Sequence, residues 1–186
     1  MKKLLSAWSA LNLPNQLTLL RIALVPVYLV LLWAFQDDRA LCILPLLTFV
    51  LASLTDLLDG KIARRYNLVT SFGKFMDPIA DKLLTHTAFI MLTAMSRLNV
   101  VSCIIFVARE FVVSGLRLVA VEQGRVIAAG MSGKIKTVLQ MLLIMLLTVT
   151  GGGPLATLIE VAAAFMTLYS MVEYVWQNRA VLSGAK

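Results

Sequence analysis

The chain is a succession of long apolar runs separated by short polar breaks. Six runs, over residues 16–35, 40–60, 77–95, 98–120, 134–149 and 155–177, have the length and composition of membrane-crossing helices. The breaks carry turn residues: Gln36-Asp37-Asp38-Arg39, a connection through Tyr66 and Asn67, Glu122-Gln123-Gly124-Arg125, and Gly151-Gly152-Gly153-Pro154. Pro14 is placed to start the first span, and Pro78 falls in the first turn of the third if Asp77 is its N-cap. Pro45, inside the second run, is expected to kink it. Ahead of the spans, residues 2–13 mix apolar and polar positions around Trp8, too short and polar to cross, which predicts a helix lying in the interface. The expected architecture is all-α: one membrane domain, 1–186, of six transmembrane helices behind an N-terminal interfacial helix.

Composition sharpens this picture. Apolar residues make up 60% of the 186 positions, charged residues only 15%, and the mean hydropathy of +0.87 lies outside the range of water-soluble domains. The net charge of +7 does not point to nucleic acid, because the cations sit between apolar runs rather than in one groove. With six spans and both termini in the cytoplasm, only Arg39 and Arg97 of the 17 Lys and Arg fall on the outer side. Arg21 and Arg109 lie within spans, and the other cations collect inside, as the excess of Lys and Arg on the cytoplasmic side of membrane proteins requires. Cys42 and Cys103 lie in apolar runs and read as buried, unreactive thiols. The N-terminus lacks the apolar core and cleavage site of a signal peptide.

The acids are the anomaly. Of ten carboxylates, Asp56, Asp59, Asp77 and Asp81 fall within one short stretch between apolar runs. Spacings of three and four put each pair on one helical face. Four acids so close repel one another unless a cation sits among them. Oxygen ligands without His or Cys suit a hard divalent ion such as Mg²⁺ or Mn²⁺. Individually each could cap a helix or lie on a solvated loop, and intramembrane carboxylates also serve divalent-cation transporters. Gly60 and Ala63 on the same face allow close approach to the backbone, and Arg64 offers a fork of donors suited to phosphate. Asn15, Thr18 and Arg21 share a face of the first span, where Arg21 either lines that face or snorkels to the headgroups.

The pattern D-x2-D-G-x2-A-R-x8-G-x3-D-x3-D, running from Asp56 through Gly73 to Asp81, resembles the signature of the CDP-alcohol phosphotransferases, with every specified position matched. The resemblance implies a membrane enzyme that moves a substituted phosphate from a CDP-linked donor to an alcohol and releases CMP. It implies that Asp56, Asp59, Asp77 and Asp81 hold metal, two ions in all, with Asp81 also the general base toward the acceptor or, as the alternative, a metal ligand only. It further implies that Asn15, Thr18, Asp56, Asp59, Gly60, Ala63, Arg64 and Gly73 hold the cytidine diphosphate, and that the protein is a homodimer.

Four further cations bear on the acceptor. Arg109, Arg117, Lys134 and Lys136 exceed what topology needs, and Arg109 and Arg117 are expected on one helix face. Such a cluster suits an anionic acceptor, most simply a phosphate monoester. An Arg109–Glu110 ion pair is the structural alternative, weakened because adjacent helical residues point apart, and headgroup contact is the alternative for Lys134 and Lys136. The stretches Ala108-Arg109-Glu110-Phe111, Gly115-Leu116-Arg117 and Gly133-Lys134-Ile135-Lys136-Thr137 are most similar to the phosphatidylglycerophosphate synthase branch of that family. The branch implies CDP-diacylglycerol and sn-glycerol 3-phosphate as substrates. Inositol phosphate, serine or phosphatidylglycerol are the alternative acceptors within the family.

Overall fold

A computed structural model describes residues 12–38, 40–65, 70–128 and 130–182, with the side chains of 57–65, 71, 72, 74, 78 and 182 outside that description. The expected interfacial helix over 2–13 therefore lies almost wholly outside the described residues. Those described form helices and turns without a strand. Six long helices, α1 (Leu13–Ala34), α2 (Ile43–Arg65), α3 (Ser71–Ala94), α4 (Val100–Glu122), α5 (Met131–Thr150) and α6 (Pro154–Gln177), precede a short α7 (Arg179–Leu182). Each matches one apolar run of the sequence. Among the described residues α1, α5 and α6 are long and apolar enough to cross a membrane, and the Ile43–Asp56 part of α2 forms a shorter apolar helix. The chain divides into two compact units, 1–91 and 92–186.

In the first unit α1 packs along α2. Pro14 sits in the opening turn of α1, where its missing N–H would be unsatisfied in any case. The buried positions of α1, Asn15, Thr18, Arg21, Val25, Tyr28 and Leu32, recur every three or four residues and form one stripe. The Tyr28 ring meets Phe49 of α2 with centroids 5.5 Å apart. Outside the stripe, Leu20, Val27, Val30 and Trp33 stay exposed. A helix apolar on its outer face and polar at one end of its inner face is built for lipid outside and a site inside.

Three proline and cap assignments need correction. Helix α2 begins at Ile43, so Pro45 lies in its first turn, where a proline has no intrahelical hydrogen bond to break, rather than kinking a continuous run. Helix α3 begins at Ser71, ahead of Asp77. Its cap is Thr70, whose Oγ1 accepts the Gly73 N–H at 3.0 Å, the usual bond from a cap hydroxyl to the third helical residue. Pro78 is consequently inside the helix, beyond its first turn, and leaves the Lys74 carbonyl without its usual donor.

The second unit inverts the pattern of a soluble protein. Helix α6 buries Ala156, Ala163, Thr167, Ser170 and Tyr174 and exposes Leu155, Leu158, Val161, Phe165, Val172 and Trp176. Small and polar residues let α6 approach α5 and α4, while the large apolar ones face outward, as suits a helix in lipid. Buried Gln140 donates to Thr167 across α5 and α6 at 3.2 Å. Gly151, Gly152 and Gly153 all have positive φ, at 71°, 149° and 118°, which explains the glycine run between these helices. Cys42 and Cys103 are buried, as expected, and neither is in a disulfide among the described residues.

Candidate active site

In the first unit the start of α1, the far part of α2 and the start of α3 meet through hydrogen bonds between polar side chains. Arg21 is fully buried, and its Nη1 lies 2.6 Å from Oδ1 of Asp56, whose side chain is 35% exposed. The Arg21 Nε donates to Thr55 Oγ1 at 3.4 Å. Arg21 therefore turns inward onto an acid and does not snorkel. One turn earlier on the same stripe, Thr18 Oγ1 donates to Asp77 Oδ1 at 2.7 Å. One turn earlier again, Asn15 Oδ1 accepts from Thr70 Oγ1 at 3.0 Å. A single face of α1 thus orients acids contributed by two other helices.

Gly73 shows why this corner holds a glycine. A Cβ added there would lie 3.0 Å from Asn15 Oδ1, 3.3 Å from Thr70 Oγ1 and 3.8 Å from Asp77 Oδ2. Three oxygens therefore surround a space that any other residue would fill. Asp81 stands one helical turn beyond Asp77, half-buried, so both acids lie on one side of α3. Among the described residues no three His, Cys, Asp or Glu side chains form a closed metal cluster. The side chains of Asp59, Gly60, Ala63 and Arg64 lie outside the described residues. The donor set that is described fits a hard divalent cation: carboxylate, amide and hydroxyl oxygens, with Asp56 and Asp77 each held through Oδ1 by a described side chain.

In the second unit the cations organise around an acid. Arg109 Nη1 lies 2.7 Å from Glu110 Oε1, and Lys136 Nζ from α5 bonds to the same oxygen. The expectation that neighbours on a helix would not pair is thus corrected, since a long guanidinium stem spans the angle that separates the two Cα–Cβ bonds. Arg109 and Lys136 are only 8% and 4% exposed. Among the described residues the Nε of Arg109 has no hydrogen-bond partner, and its Nη2 lies 3.3 Å from where a Cβ on Gly133 would be. Gly133 thus makes room for a guanidinium over the first turn of α5, a helix whose N-cap, Gly130, offers no side-chain bond. Ser132 in that turn bonds to Glu173 of α6. The other two cations stand apart. Arg117 is exposed, its Nε donating to Tyr174 Oη at 3.0 Å, and Lys134 is exposed. Eight residues turn a helix about 80° past two full rotations, so Arg117 does not share the face of buried Arg109.

Two residues central to these networks were missed as site residues. Arg21 was signalled by its spacing of three from Thr18 and six from Asn15. Glu110 was signalled only by being an acid in an apolar run beside Arg109.

Residues 11–175 match the model of the CDP-alcohol phosphatidyltransferase family. The chain is 40% identical to a Bacillus subtilis protein named CDP-diacylglycerol–glycerol-3-phosphate 3-phosphatidyltransferase, over 90% of this chain and 95% of that one. A Rickettsia bellii protein of the same name is 41% identical, over 88% and 93% of the two chains. One from Sodalis glossinidius is 34% identical, over 91% and 96%. The match extends over the acids, the α1 stripe that orients them and the Arg109–Glu110–Lys136 cluster, and on that footing the chain belongs to the CDP-alcohol phosphatidyltransferase family.

Proposed function

We propose that the protein transfers the phosphatidyl group of CDP-diacylglycerol to sn-glycerol 3-phosphate, giving phosphatidylglycerol phosphate and CMP. The observation that carries the choice of acceptor is the guanidinium of Arg109, more than nine-tenths buried and with its Nε unpartnered among the described residues. A buried donor of this kind is costly unless an anion completes it, and a phosphate monoester offers the oxygens to do so. Lys136 adds a second buried charge, and Glu110 holds both heads in place. Arg117 and Lys134, both exposed, would meet the acceptor as it approaches. The names of the relatives point to the same substrates.

In this reading Asp56, Asp59, Asp77 and Asp81 would hold Mg²⁺ or Mn²⁺, in two ions, and the metal would supply positive charge against the pyrophosphate and the departing CMP. Arg21 and Thr18 fix the rotamers of Asp56 and Asp77. Asn15, Thr18, Gly60, Ala63, Arg64 and Gly73 receive the cytidine diphosphate. The hydroxyl oxygen of the acceptor attacks the phosphatidyl phosphorus, its proton passes to a carboxylate oxygen of Asp81, and the bond from that phosphorus to the CMP oxygen breaks. The protein would work as a homodimer of single-domain chains in the bacterial inner membrane. Each chain would have six spans, with both termini and the site on the cytoplasmic side, and annular lipids around it. CMP release by purified protein, with CDP-diacylglycerol and each acceptor supplied separately, tests this. Release with glycerol 3-phosphate is expected, and release with serine or inositol phosphate alone would refute the acceptor.

A further inference from the structure

The second unit has another end, away from Glu173 and the cations. Where α4 and α6 begin, an open cleft of about 620 Å³ is lined by Ser96, Arg97, Ser102, Thr157 and Glu160 among others. At 1.5 Å per residue, Glu160 lies about 20 Å along α6 from Glu173, so this cleft is separate from the cation cluster. Glu160 stands in an apolar helix between exposed Leu158 and Val161. Its Oε1 accepts the Asn99 N–H at 3.1 Å, and the Asn99 side chain is itself held by the Val101 N–H at 2.8 Å. The carboxylate is therefore fixed in direction, while its Oε2 has no partner among the described residues.

Arg97, on the same wall, is turned elsewhere. Its guanidinium carbon lies 3.6 Å from where a Cβ on Gly151 would be. Its Nη1 donates to the carbonyls of Leu147 and Thr148 at 3.3 and 3.4 Å, which caps the negative end of α5. Its charge offsets that of Glu160 for a cation of either valence, so hydrogen-bond geometry rather than net charge selects the ligand. Thr157 Oγ1 donates its proton to Gly153 O at 3.2 Å and so keeps lone pairs for accepting, and the Ser102 hydroxyl on the cleft wall is a second acceptor by its chemistry. A carboxylate oxygen with hydroxyl oxygens around it matches the three donors of an –NH₃⁺ group.

We infer that the cleft between the starts of α4 and α6 binds a primary ammonium group through Glu160. Two sources carry that chemistry: the headgroup of phosphatidylethanolamine, and a free amine. A quaternary ammonium, which has no N–H to donate, is the natural negative control.

The full-length protein in nanodiscs containing phosphatidylethanolamine and phosphatidylcholine at equal mole fraction, examined by native mass spectrometry, tests the site. Retained phosphatidylethanolamine should exceed phosphatidylcholine by about tenfold, the effect of one charge-assisted hydrogen bond. Glu160→Gln should bring the ratio close to parity, and Ser102→Leu, which sets a bulky apolar side chain on the cleft wall in place of a hydroxyl, should do the same. If Glu160→Gln does not elute as a single helical species, Ser102→Leu alone decides. Free ethanolamine titrated into phosphatidylcholine nanodiscs forms the second arm, and saturable binding there that is lost in the variants, without lipid preference, assigns the site to a soluble amine. No preference and no ethanolamine binding in the unaltered protein, or an unchanged preference in the folded variants, would overturn the inference.

Discussion

Replacing Arg21 with methionine tests whether the α1 stripe organises the acids. Arg21 is fully buried and lies 2.6 Å from Asp56; methionine keeps most of its apolar length and removes the guanidinium. Breaking a fully buried ion pair by deleting one partner costs about 3–5 kcal/mol. Asp56 is 35% exposed, so water recovers part of its solvation, and a loss of about 2 kcal/mol is the reasoned figure. For a chain of this size that lowers Tm by about 4–8 °C. Activity should fall further than stability, because an oriented ligand carboxylate that loses its partner typically costs about 10- to 100-fold. Arg21→Lys restores a charge but not the forked contact to Thr55 and Asp56, so it should recover stability more than rate. The assays are thermal unfolding in detergent and CMP release at saturating substrates, well below the midpoint. A folded Arg21→Met protein with undiminished turnover would refute the idea that Arg21 positions Asp56.

Other predictions follow from the same geometry. Gly73→Ala gains about 0.5–1 kcal/mol of helix propensity but puts a methyl 3.0 Å from Asn15 Oδ1; CMP release should drop about tenfold or more with little change in Tm, and a fully active variant would show that the space is not used. Glu110→Ala leaves Arg109 and Lys136 buried without their shared acid and should destabilise by about 3 kcal/mol, read as a fall in Tm; no fall would contradict the pairing. Lys136→Met should raise the Michaelis constant for glycerol 3-phosphate by about tenfold or more, and exposed Lys134→Ala by less; the reverse order would remove Lys136 from the acceptor pocket. Chelation should abolish CMP release, and Mg²⁺ or Mn²⁺ should restore it; full activity without divalent ions would remove the metal from the reaction.

The long elements were legible because apolar runs of bilayer length, broken by Gly151-Gly152-Gly153 and similar polar turns, leave few other foldings. Their exact starts were less so. Thr70 caps α3, although Asp77-Pro78 advertises a cap more loudly, and the choice between them is tertiary: Thr70 also reaches Asn15. Pro45 falls in a first turn because α2 starts late, a shift of a few residues that hydropathy cannot resolve. At the site, spacing correctly grouped Asn15, Thr18 and Arg21. It could not say that Arg21 faces Asp56, since burial of an arginine depends on a partner distant in sequence. The cations were legible as a set but not in arrangement: Glu110 gathers Arg109 and Lys136, whereas Arg117 goes to Tyr174.

The most direct test of the proposed reaction follows isotope rather than rate. Purified protein receives CDP-diacylglycerol, Mg²⁺ and glycerol 3-phosphate labelled in its carbon skeleton, and both the lipid phase and free CMP are measured. Label should enter the lipid phase in equal amount to the CMP released, and neither should occur with Asp77→Asn. CMP appearing without label in lipid would mean that the donor is cleaved without transfer to this acceptor, and would contradict the assignment.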